Sequence, residues 1–142
     1  MKFFRLDTKL SKSDCEKLLD SLSAIEIEEL SSLDIISEDV EYNGYVSSYI
    51  ICNDYTIAKC ENFLSQKGID FIKNEISQEI LIGKISLKNT PFEIQTEKYI
   101  EQFLTIDVVL DKINQFGIDS LTELDKNCLK KIWFFKIFKY IS

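Results

Sequence analysis

Asn43-Gly44 stands between two β-prone runs, IISEDVEY and YVSSYIIC. A two-residue turn of this composition needs positive φ at both positions, which Asn and Gly adopt at little cost. It joins strands whose twist matches the turn, so the segment predicts a hairpin and excludes an all-helical fold.

The flanking elements follow from periodicity and caps. Lys2 to Asp7 (KFFRLD) reads as a first strand, and Ser13-Asp14-Cys15-Glu16 supplies an S-x-x-E capping box for a helix with Cys15, Leu18, Leu19 and Leu22 on one face. Residues 23–33, with Ile25, Ile27 and Leu30, are read as helical although neither period is clean. Asn53 or Asp54 caps a helix carrying Ile57, Cys60 and Leu64, and Gly68 sits where a left-handed C-terminal cap belongs. IDFIKNEISQEILIGKISL (69–87) predicts one long strand or a second hairpin. The order β-α-(α)-β-β-α-β belongs to the α+β class: an antiparallel sheet with helices on one face, for which a ferredoxin-like split βαβ sandwich is the leading option. With 142 residues, 45% of them hydrophobic, the chain can build a core without a disulfide or a metal.

The only proline, Pro91, marks the expected boundary between an α+β domain over 1–88 and a C-terminal helical hairpin with an aromatic tail over 89–142. Thr105 is the N-cap of IDVVLDKINQF, Gly117 ends that helix, and Ser120-Leu121-Thr122-Glu123 is a second capping box. Within this part, VLDKINQFGIDSLTELDKNCLKKI (Val109 to Ile132) resembles the helix–turn–helix tail, of the form LDKI-x3-G-x-DSLT-x2-E-x3-L, that ends small bacterial proteins and some bacterial rhomboid-family proteases. The resemblance implies a packing appendage and brings no catalytic residue with it. Asp125 stands where those tails usually carry Glu, and IWFFKIFKYIS continues beyond them.

Enzyme chemistry finds little support. The chain contains no histidine, so imidazole bases, Ser–His or Cys–His pairs and histidine metal sites are excluded. Cys15, Cys52, Cys60 and Cys128 form no C-x-x-C and read as buried thiols of a reduced protein, with no metal expected. Gly44, Gly68, Gly83 and Gly117 are isolated, which rules out a phosphate-binding or dinucleotide-binding loop, and no cofactor is expected. Arg5 is the only arginine and the net charge is −7, an unsuitable balance for a direct nucleic-acid partner. Asp7-Thr8-Lys9, the pair Glu28/Glu29 and the group Glu38/Asp39/Glu41 leave a carboxylate-dependent metal enzyme as an alternative. Lys2, Arg5, Asp7 and Lys9 interrupt any apolar leader, and no run approaches the ~18 apolar residues of a membrane span, so the expected location is the cytoplasm.

Charge is unevenly placed. From Asp20 through Asp54 there are nine acids and no Lys or Arg, whereas from Lys126 onward there are five Lys and no acid. Acids on exposed faces can simply keep a domain in solution, but a concentrated field also steers a cationic partner. Glu26, Glu28, Glu29, Asp34, Glu38, Asp39 and Glu41 are therefore the candidate partner-binding residues. The stretch IWFFKIFKYI adds Trp133, Phe135 and Phe138 as aromatic candidates, either core or anchor. The expected function is a non-catalytic protein-binding module of the immunity or antitoxin type that covers a basic protein, with a structural or adaptor subunit docking through the aromatic tail as the second reading.

Overall fold

A computed structural model describes residues 1–130, which divide into two compact units, one over Met1–Ser77 and one from Gln78 onward. Pro91 thus lies inside the second unit, and the chain passes from one unit to the next just after the fourth strand.

The first unit runs β1 (Lys2–Thr8), α1 (Lys12–Ser21), α2 (Ala24–Ser31), β2 (Ile36–Tyr42), β3 (Tyr45–Cys52), α3 (Asp54–Gln66) and β4 (Phe71–Glu75). The strands lie in the order β2-β3-β1-β4 and every neighbouring pair is antiparallel. This is the ferredoxin-like split βαβ arrangement, with α2 as an additional helix in the first crossover. Asn43 (φ 52) and Gly44 (φ 82) both take the left-handed region, and Tyr42 pairs with Tyr45 directly across the turn. Nothing lies within 4 Å of a Cβ built on Gly44, so a side chain there meets strain and no clash. Gly44→Ala should therefore cost about 1 kcal/mol, read as a lower urea midpoint. An unchanged midpoint would show that this turn does not constrain the hairpin.

Short-range polar chemistry sets the helix starts. Ser11 and Asp14 close a reciprocal capping box on α1, Ser23 and Glu26 another on α2, and Asn53 accepts from the Thr56 N–H on α3. The box expected at Ser13 and Glu16 thus sits two residues earlier, because Ser11 is the last extended residue after β1 and Ser13 already lies in the first turn. Gly68 (φ 71) follows α3 as expected.

Packing begins from the register. Phe4 opposite Ile50 places both on one face with Leu6 and Cys52, and Ile57 of α3 completes this buried cluster, flanked by Cys60, Leu64 and Phe71. Each such side chain contributes roughly 1.5–3 kcal/mol on burial. Phe3 and Ile51, which point to the opposite face, are buried too, and Phe3 meets Tyr49 edge-on at 6.5 Å between centroids. By contrast α1 and α2 bury no residue, and a cavity of about 220 Å³ remains between them, α3 and the sheet, lined by Leu6, Cys15, Leu18, Leu30, Ser48 and Cys60 among others.

The run 69–87 is neither a long strand nor a second hairpin. Only Phe71–Glu75 is extended, and Ser77–Leu81 forms helix α4. Ile76 and Ile80 are both buried at the i, i+4 spacing of a helical face, and Gly83 (φ 78) ends the turn that follows. The second unit continues with α5 (Glu93–Phe103), α6 (Ile106–Phe116), a short 3-10 turn (Ile118–Ser120) and helix α7, described over 123–130. Thr105 caps α6 through the Val108 N–H, as expected, and Gly117 (φ 85) ends it. The capping box of α7 is Thr122 with Asp125: the Thr122 N–H donates to Asp125 Oδ2 at 2.8 Å and the Asp125 N–H donates to Thr122 Oγ1 at 3.2 Å. Ser120, expected in that role, donates its hydroxyl to the Gly117 carbonyl in the 3-10 turn.

Candidate functional site

The seven acidic candidates fall on α2, the loop after it, and strand β2. Glu26 is engaged within the fold: it caps α2 with Ser23 and lies 2.6 Å from Lys67 Nζ. The Lys67 hydrogen bond, with the Ser23 backbone N–H, holds its carboxyl below the usual glutamate range. Glu28 and Glu29 are on α2, where Glu29 lines a groove of about 340 Å³ with Lys59, Asn62 and Gln66 of α3. Asp34 lies in the connection to β2.

On β2 the acids separate by strand alternation. Glu38 pairs with Tyr49, which shares the face of Phe3 and Ile51, whereas Asp39 pairs with Ser48 and Glu41 with Val46 on the face that carries the helices. Asp39 accepts from the Ser48 hydroxyl at 2.6 Å and lines the same cavity as Leu30 of α2. Asp39 and Glu41 thus share the helix-bearing face with that cavity while Glu38 faces the other way, so the acids form no single flat patch. Glu28, Glu29, Asp34, Glu38 and Glu41 make no ion pair among the described residues. Trp133, Phe135 and Phe138 lie outside the described residues.

Two features were not evident in the sequence. First, β2 is an edge strand, and apolar side chains stand exposed near its acids: Ile25 and Ile27 on α2, Ile36 and Tyr42 on β2, and Tyr45 across the turn. Second, Lys112 and Asp125 form a buried ion pair in the second unit, with Nζ to Oδ2 at 2.6 Å and side chains 5% and 2% exposed. The signal for the second was present, since Lys112 stands three residues after buried Val109 on the inward stripe of α6. Gly83 permits the close approach of this lysine, because a Cβ there would sit 3.3 Å from Lys112 Nζ.

Other chemistry-bearing groups are occupied. Arg5 grips Asp7 at 3.1 Å, and the Ser47 hydroxyl donates to the other carboxylate oxygen of Asp7 at 2.8 Å. The sole arginine and the acid of Asp7-Thr8-Lys9 are thus spent on each other. Among the described residues no group of three or more Cys, Asp or Glu is placed to hold a metal ion, and no helix is long and apolar enough to cross a membrane.

The four thiols are unpaired. Cys52 is fully buried, and desolvation first, with Cys60 and Asp54 adding to it, pushes its thiol up to about 11. Burial also raises Cys60 and Cys15. Because the folded value for Cys52 lies above the unfolded one, its contribution to stability is complete below about pH 9 and is lost as pH rises toward 11. Maleimide at pH 8 should leave Cys52 unlabelled in the native protein and label it in urea, as peptide mapping will read. Rapid native labelling would show that this thiol is open.

No protein-family model, curated protein or solved structure gives a significant match to this chain.

Proposed function

We propose that this protein is a non-catalytic binding module that acts in the cytoplasm by covering a cationic protein, in the manner of an immunity or antitoxin-type inhibitor. The observation that carries this reading is the set of five carboxylates without an ion pair among the described residues, Glu28, Glu29, Asp34, Glu38 and Glu41, on α2, β2 and the loop between them, elements that also expose Ile25, Ile27 and Ile36. Uncompensated charge gives encounter rate and partner selection, and apolar side chains beside it give contact area that holds the complex. The Thr122–Asp125 box and the Lys112 clasp support reading the C-terminal helices as the packing appendage that the tail resemblance implies.

Capture from the source cells on three immobilised baits tests the reading: the wild-type chain, Glu38→Lys with Glu41→Lys, and the control Glu97→Lys with Glu101→Lys on exposed positions of α5. A cationic protein retained by the wild type and the control and lost from the β2 variant is the expected result. Equal retention on all three contradicts it.

A further inference from the structure

We infer that β2 is a docking strand: an extended basic segment of the partner adds to it as a fifth strand of the sheet. This rests on the binding reading above and names its geometry and the class of segment bound.

The free ladder of β2 is specified by its partner. The Val46 N–H donates to the Leu10 carbonyl at 2.8 Å, and the Val46 carbonyl accepts from the Thr8 hydroxyl at 2.8 Å, so both main-chain groups of Val46 point away from β2. Glu41 and Val46 are therefore a pair without mutual backbone hydrogen bonds. Antiparallel pairs alternate, so the groups of Ile36, Glu38, Val40 and Tyr42 turn to β3 while those of Ser37, Asp39 and Glu41 turn outward. No backbone hydrogen bond joins these three outward residues to another element among the described residues. All three are exposed.

Charge decides which occupant fits. The opposite edge, β4, has five residues, and its charges are matched inside the unit: Lys73 with Glu61 at 2.7 Å and Glu75 with Lys2 at 3.4 Å. The β2 edge has seven residues and three acids, Glu38, Asp39 and Glu41, none in an ion pair among the described residues. Edge acids oppose pairing with a second copy, since acid would face acid across the new ladder. A segment with Lys or Arg at alternate positions meets the opposite condition. Its cations all stand on one face, where they reach Asp39 and Glu41, while its backbone bonds to Ser37, Asp39 and Glu41.

The test uses the full chain and two synthetic peptides of alternating Lys and Val, about nine residues long to span β2 at ~3.3 Å per residue. The second peptide carries N-methyl groups on two adjacent central residues, which keeps every charge and blocks pairing along either edge. The unmodified peptide should bind roughly tenfold more tightly than the methylated one, as expected for the loss of backbone hydrogen bonds. It should also slow amide exchange at Ser37, Asp39 and Glu41. Glu41→Pro should weaken binding more than Glu41→Gln, since both remove the charge and only proline removes the outward N–H. Equal, salt-sensitive binding of both peptides overturns strand addition and leaves the acidic-surface reading standing. No binding of either peptide also overturns it, with the three-bait capture then deciding the broader reading. Slow exchange at the same amides in a self-associated chain without peptide overturns it in favour of a second copy.

Discussion

Asp125→Ala should destabilise the second unit by about 3–5 kcal/mol, the largest effect expected of any single substitution in that unit. Lys112 Nζ lies 2.6 Å from Asp125 Oδ2 with both side chains almost wholly buried, so removing the carboxylate strands an ammonium with no solvent to stabilise it. The same oxygen also accepts the Thr122 N–H at 2.8 Å, which adds the loss of a helix cap of about 1 kcal/mol. Lys112→Met alone should be severe for the converse reason. The double variant Lys112→Met with Asp125→Asn should recover much of the loss, because it removes both buried charges and keeps an acceptor for Thr122. Amide exchange in α6, followed with urea denaturation, reads the result. If Asp125→Ala costs no more than breaking the exposed Lys126–Glu123 pair, about 0–1 kcal/mol, the clasp contributes nothing to the fold.

What the sequence made legible was local. Asn43-Gly44 demanded left-handed backbone and received it, and Asn53, Gly68, Thr105 and Gly117 bounded helices as their chemistry requires. Two capping boxes were displaced by two residues because Ser-x-x-acid recurs in neighbouring frames near each start, and only the frame that follows extended backbone can close. The end of β4 was hidden because an Ile-rich run satisfies both periods, so the sequence does not mark where Phe71–Glu75 gives way to the helix at Ser77. The acidic candidates were identifiable as residues but not as a geometry: adjacent Glu38 and Asp39 necessarily face opposite sides of a strand, and which strand lies at the edge is settled by long-range pairing. The core position of Lys112 is not legible in α6 alone, because a lysine on an apolar stripe has a place in a core only with its counter-ion, and Asp125 comes from another helix.

Reversing the β2 charges should produce the other large effect, on binding. Glu38→Lys with Glu41→Lys changes the local charge by four units on a strand whose acids have no ion pair among the described residues, so encounter with a cationic partner should slow by tenfold or more, an order-of-magnitude expectation for lost steering. Glu41 is exposed and Glu38 half-buried at the edge, so stability should move by only about 0.5 kcal/mol. The Glu97→Lys with Glu101→Lys control adds the same charge on α5 and should alter the rate only through the change in net charge. The decisive measurement is the association rate of the captured partner by surface plasmon resonance, for the wild type and both double variants, at low salt and at physiological salt, where screening acts over about 8–10 Å. A steep fall with salt for the wild type, lost in the β2 variant and kept in the α5 variant, is the expected result; the same rate for both variants, or a wild-type rate indifferent to salt, contradicts an acidic docking surface on α2 and β2.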